Sequence, residues 1–141
     1  MENKIYFSGN QKDTKLADKL CRLCAEELDI NKVTVVLTEG EETLAQNVEV
    51  VALEHGKTAP EGLSAITYSV GQSNADLCGF NFQKREFSRS LELLSGSFMG
   101  RVNIPVDSEF SEKSVIYCAA GLMAADVPLK MVIKLINEKI S

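Results

Sequence analysis

Residues 66–138 read ITYSVGQSNADLCGFNFQKREFSRSLELLSGSFMGRVNIPVDSEFSEKSVIYCAAGLMAADVPLKMVIKLINE, and this stretch decides the fold. It opens on an apolar strand, Ile66 to Val70. Beyond Gly71 the hydrophobic period is two. Cys78, Phe80 and Phe82 share one face in DLCGFNF (76–82), as do Phe87, Leu91 and Leu93 in FSRSLELL (87–94), and Val102, Ile104 and Val106 in RVNIPV (101–106). The short connectors between them predict an antiparallel meander with one wet face. Pro105 has no N–H to give a ladder, so the last strand is an edge or ends there. The period then lengthens to that of a helix. Ser108 or Ser111 can cap a helix over 112–125, where Ala119, Ala120, Gly121, Ala124 and Ala125 permit close packing of backbones. After a break at Asp126 and Val127, Pro128 opens a last helix to about Lys139, with Leu129, Val132, Ile133 and Ile136 as its buried stripe.

Upstream, KIYFS (4–8) reads as a short strand closed by Gly9 and Asn10. Asp13 is placed to N-cap a helix to about Leu28, in which Leu16, Leu20, Leu23, Cys24 and Leu28 recur at helical spacing. KVTVVLT (32–38) is a β-branched run suited to a strand covered on both faces, as in a parallel sheet. EGEETLAQ (39–46) allows at most a short helix, VEVVAL (48–53) is a third strand, and 55–64 is a loop. The fold class is therefore α/β: one domain over residues 1–141, a small, mainly parallel sheet with flanking helices, then a three-stranded antiparallel unit and two C-terminal helices.

The composition fits one ordinary globular domain of 141 residues, 45% hydrophobic and 25% charged. Fifteen basic and twenty acidic residues give a net charge of −5, and the basic ones are scattered, which argues against a nucleic-acid partner. MENKIYFSGN has no apolar signal core and no run approaches a membrane span, so a cytoplasmic protein with no membrane partner is expected. Cys21, Cys24, Cys78 and Cys118 all sit among apolar residues and read as reduced, buried thiols.

The order of elements over 66–138, with I-T-Y-S-V-G ending a strand, A-D-L starting the antiparallel unit and an Ala-rich helix followed by a V-P-L helix, resembles the later part of the central domain of the Mur ligases, a family that includes the folylpolyglutamate synthetases. The resemblance implies ATP-dependent amide ligation through an acyl phosphate. It also implies an ATP loop of the form T-G-T-N-G-K-[ST] after the first strand, because amides, a lysine and a Mg²⁺-holding hydroxyl must meet the phosphates. Here that place holds Ser8-Gly9-Asn10-Gln11-Lys12-Asp13-Thr14, which keeps Gly9, Asn10, Lys12 and Thr14 as candidate contacts but loses a glycine and sets Asp13 against the phosphates. The family's adenine segment G-x-[FH]-N-x-x-N falls on Ser108 to Ser114, where only Phe110 matches. The stretch that carries the family's Mg²⁺-binding Glu and His and its carbamylated Lys has no counterpart here.

Other candidates are weaker. His55-Gly56-Lys57-Thr58 ends like a P-loop, but Val51 stands where a glycine is needed and Ala59 to Gly62 cannot start the required helix; a surface loop is the better reading. Cys21-Arg22-Leu23-Cys24 has C-x-x-C spacing but lies mid-helix, which favours core packing over redox or metal chemistry. Glu39, Glu41 and Glu42 form an acidic loop that reads as a solvated turn ahead of a metal site. Lys84, Arg85 and Arg89 suit an exposed hairpin tip as well as an anion site, and no triad assembles around His55.

The expected function is a non-catalytic binding or partner module with a degenerate nucleotide site and no assigned catalytic or metal residue. The alternative is an ATP-binding amide ligase, with ATP and Mg²⁺ as cofactors, completed by a partner chain. A shortened sheet exposes edges or an apolar face, which predicts a homodimer or a protein partner.

Overall fold

A computed structural model describes residues 4–38 and 47–141. The elements are β1 (Ile5–Ser8), α1 (Lys12–Ala25), β2 (Thr34–Leu37), β3 (Val50–Glu54), β4 (Ser64–Val70), β5 (Leu77–Lys84), β6 (Ser88–Ser95), β7 (Phe98–Pro105), α2 (Glu112–Ala124) and α3 (Leu129–Ile140). The helix weighed for 39–46 and the acidic group Glu39, Glu41 and Glu42 lie outside the described residues.

The strands form one seven-stranded sheet whose spatial order is the chain order, β1 through β7. β1 to β5 pair in parallel, and β5, β6 and β7 pair antiparallel. The meander is thus continuous with the parallel sheet, joined through Tyr68↔Leu77, Ser69↔Cys78 and Val70↔Gly79. A parallel crossover ordinarily needs a dozen or more residues, yet residues 71–76 suffice between β4 and β5. The stagger explains this: Leu77 lies opposite Tyr68, so the chain retreats only about 7 Å, two strand residues, before β5 begins. β5 then runs on past the end of β4.

All three described helices lie on one face of the sheet. Three glycines let them come close. A Cβ on Gly79 would stand 2.4 Å from Ile116 Cδ1 of α2, one on Gly100 would stand 2.6 Å from Ile133 Cδ1 of α3, and one on Gly121 would meet Ile5 and Val36 at 3.0 Å. The core between the layers takes Ile5, Val36, Ala52, Tyr68, Leu91 and Val102 from the sheet, with Leu20, Ile116, Leu122, Val132 and Ile136 from the helices. Each such Leu or Ile contributes about 1.5–3 kcal/mol by leaving water. α2 is buried nearly all round, as its small residues require.

Three expectations are corrected. Asp13 does not cap α1: Gln11 holds the N-cap position without a side-chain bond to the helix's first-turn amides, and Asp13 lies in the first turn, engaged elsewhere. On β5, Leu77 and Gly79 face the helices, so Cys78 and Phe80 point to the opposite side, and Phe82 is 43% exposed. Ile116 leaves no room for a side chain on the helix side, and glycine at 79 fits where the apolar alternation did not look for it. A register shift between Phe80 and Gln83, with Asn81 at φ 56°, turns the rest of the strand. Phe87, read as inward, is 76% exposed at the hairpin.

Val35, Val51, Leu53 and Cys78 are buried on the sheet face away from the helices, which bears out the two-sided reading of 32–38. Among the described residues no helix is long and apolar enough to cross a membrane.

Candidate nucleotide site at the β1–α1 turn

β1 passes into α1 through Gly9, Asn10 and Gln11 alone. Gly9 sits at φ 127°, a backbone that only glycine adopts readily. A phosphate-wrapping loop of the P-loop kind needs roughly eight residues between strand and helix, so this turn has few amides to offer.

The side chains around it are already engaged. Thr38 Oγ1 donates to the Ser8 carbonyl at 2.5 Å and lies 2.9 Å from Thr14 Oγ1, so the Thr14 hydroxyl is left to donate to Thr38. Thr14 is 2% exposed. Tyr68 OH donates to the Leu37 carbonyl at 2.6 Å. These bonds tie the carboxyl ends of β1 and β2 to β4, at the sheet edge where ligands of α/β folds tend to bind. Asp13 Oδ1 accepts from Ser111 Oγ at 2.5 Å, while Ser111 Oγ accepts from the Ser114 N–H and caps α2.

Phe110 is buried beside this contact, with Lys19 Nζ 6.0 Å from its ring centroid. Its carbonyl accepts from Arg89 Nη2 at 2.9 Å, and Arg89 Nη1 pairs with Glu112 at 2.5 Å. Arg89, read from sequence as a hairpin-tip cation, therefore joins the meander to the start of α2.

No family model matches the sequence, and no curated protein does. Solved structures do. MurF from Acinetobacter baumannii aligns at TM-score 0.67 and 10% identity, covering 95% of this chain and 45% of that one. The fold is that of a Mur ligase domain. A UDP-N-acetylmuramoylalanyl-D-glutamyl-2,6-diaminopimelate–D-alanyl-D-alanyl ligase structure from the same organism gives TM-score 0.60 at 10% identity, with 95% and 45% coverage. A UDP-N-acetylmuramoyl-L-alanyl-D-glutamate–2,6-diaminopimelate ligase gives 0.54 at 13%, covering 86% of this chain and 31% of that one. The Mur-ligase-like chain spans less than half the length of the structures it matches, and the likeness extends well beyond residues 66–138.

Within the Mur-ligase-like domain, Gly9, Asn10 and Thr14 come together in a concavity of about 290 Å³ that runs along the flank of α1 beside Lys15, Asp18 and Arg22. Lys12 and Phe110 do not line it. Lys12 is exposed, and Arg22 is paired with Asp18 at 3.1 Å. His55, Lys57 and Thr58 are exposed in a turn that leads into strand β4 and not a helix. Among the described residues no group of three or more His, Cys, Asp or Glu is arranged to hold a metal ion.

Cys21, Cys24 and Cys118 are buried without exposure; burial first, then the neighbouring Cys21 and Cys24, push the Cys118 thiol well up. Cys78 differs. Burial pushes its thiol up too, but hydrogen bonds with Ser69, Ser73 and Ala75 outweigh that and bring it below its ordinary value. The bonds at Thr38, Ser111 and Cys78 carry no sequence signal, because each joins segments far apart or rests on a loop of small polar residues.

Proposed function

We propose that this Mur-ligase-like domain is a non-catalytic binding or partner module with a degenerate nucleotide site, acting on a second copy of itself or on another protein. The bond between Asp13 and Ser111 carries this reading. A helix N-terminus attracts an anion through its open N–H groups and dipole, and at α1 that anion is the chain's own carboxylate. A phosphate brought beside it meets a like charge, which costs about 4 kcal/mol for unit charges 4 Å apart at an effective dielectric of about 20. The Thr14 hydroxyl, the counterpart of the Mg²⁺-holding group by resemblance, gives its proton to Thr38.

The experiment is a thermal melt with and without millimolar Mg-ATP. The expected result is no shift. A second reading, an ATP-binding amide ligase completed by a partner chain, rests on the concavity that gathers Gly9, Asn10 and Thr14. Under it, ATP at a hundredfold excess over Kd would stabilise the protein by about 2.7 kcal/mol. A rise in Tm that Lys12→Ala abolishes would establish that second reading and end the first.

A further inference from the structure

β7 is one of the two edge strands of the sheet and eight residues long. Such an edge is a template for another chain. Its inward groups pair with β6 through Gly100↔Leu93, Val102↔Leu91 and Ile104↔Arg89. By the alternation of a strand, the N–H and C=O groups of Arg101 and Asn103 point outward. They do not meet only water. The Asn103 N–H donates to Asn137 Oδ1 at 3.0 Å, and Asn137 Nδ2 donates to the Arg101 carbonyl at 3.0 Å. A single side-chain amide thus takes up one donor and one acceptor that an added strand would need. The next outward position is closed as well, since Pro105 has no N–H and its carbonyl accepts from the Ser108 N–H at 3.0 Å.

We propose that Asn137 is an edge guard, whose side-chain amide holds one outward donor and one outward acceptor at the middle of β7 and keeps that strand from pairing with β7 of a second copy of this chain. The guard is fixed in place by packing. Ile136 and Ile140 of α3 are buried, and Ile133, one turn before Asn137, fills the space left by the missing side chain of Gly100. A second copy is the fitting occupant because the two β7 edges would meet about a two-fold axis, each presenting the same groups. Phe98 and Met99, 39% and 52% exposed on the same strand, would add apolar contact once the edge opened. Association through this edge is thus blocked in the native chain, and any partner surface of the module lies elsewhere.

The test is Asn137→Ala in the whole chain, read by light scattering over a concentration series and by amide exchange at Asn103. The mass is expected to rise with concentration relative to wild type, and the Asn103 amide to exchange about tenfold faster at low concentration, the loss of one hydrogen bond. Adding Asn103→Pro removes the outward N–H of the opened edge and is expected to return the mass to the wild-type value. If Asn137→Ala does not fold, Asn137→Asp is read in the same way, since it keeps an acceptor for Asn103 and loses the donor to Arg101. A mass that stays at the wild-type value throughout, or association that persists with Asn103→Pro, overturns the proposal.

Discussion

The Ser111 hydroxyl donates to the Asp13 carboxylate at 2.5 Å and joins the N-cap of α2 to the first turn of α1, two residues that are 98 positions apart in sequence. The same oxygen accepts from the Ser114 N–H, and the Ser114 hydroxyl returns the bond to the Ser111 N–H at 2.9 Å. One serine therefore starts α2 and anchors it to α1. Ser111→Ala removes cap and bridge together and is expected to cost about 1–2 kcal/mol in denaturant unfolding. Asp13→Ala leaves the cap and should cost less. A double-mutant cycle isolates the bridge, and additive losses would show that it contributes nothing.

Gly79→Ala forces a methyl group into Ile116, with Cδ1 and Cγ1 at 2.4 and 2.5 Å. Both partners lie between packed layers, so overpacking of about 1–3 kcal/mol is expected. Shortening Ile116 to alanine makes room, and Gly79→Ala should then cost much less in that background. An equal cost in both backgrounds would mean that the sheet and α2 shift freely at this point.

Tyr68 is 2% exposed, bonds the Leu37 carbonyl and packs edge-on against Tyr117 at 5.6 Å. Burial first, then Tyr117 and Glu54, push its phenol well above the ordinary value. The folded chain therefore favours the neutral phenol. That stability is complete below the unfolded value of about 10, declines above it, and is gone once pH passes the raised folded value. Tyr68→Phe should cost about 1 kcal/mol at neutral pH. Urea midpoints at about pH 8 and about pH 11 should then fall less in Tyr68→Phe than in wild type; parallel falls would assign the alkaline loss to other groups.

Thiol labelling should separate Cys78 from the rest. Cys21, Cys24 and Cys118 are fully buried and are expected to react only on unfolding. Cys78 is buried as well, but its sulfur sits against Ser73 and Ala75 of the 71–76 loop, and local opening of that loop would release a thiol held below its ordinary value; it should be the first of the four to label, and Cys78→Ala should remove that phase. Fast native labelling of Cys21 or Cys24 would revive thiol chemistry at the C-x-x-C pair.

Much of the fold was legible because periodicity reports burial directly. The stripe Leu129, Val132, Ile133 and Ile136 and the faces Leu91/Leu93 and Val102/Ile104 lie where their spacing places them. β5 failed that logic, since its inward position is a glycine and glycine carries no hydrophobic signal. Along α1 the fully buried line runs through Ala17, Leu20, Cys21 and Cys24, with Leu16 and Leu23 only partly covered. The site was less legible. Chemistry of residue type singled out Lys12 and Thr14, but their availability depends on Thr38 and Ser111, which only the fold brings near. Asn137 did leave a faint trace, as the one uncharged polar residue set into VIKLINEKI (132–140).

A sheet whose strands stand in the order of the chain can form as a ribbon, each strand adding to the one just made. Such neighbour-to-neighbour pairing keeps separations within the sheet short, whereas α1 meets α2 and α3 only across most of the chain. The lid of the core comes late, because α2 and α3 follow β7. A nascent chain that has reached Val106 presents Leu77, Leu91, Leu93, Val102 and Ile104 to the solvent with nothing to seat on them. That interval is when the domain is most open to aggregation, and the moment when a chaperone has the largest apolar surface to hold.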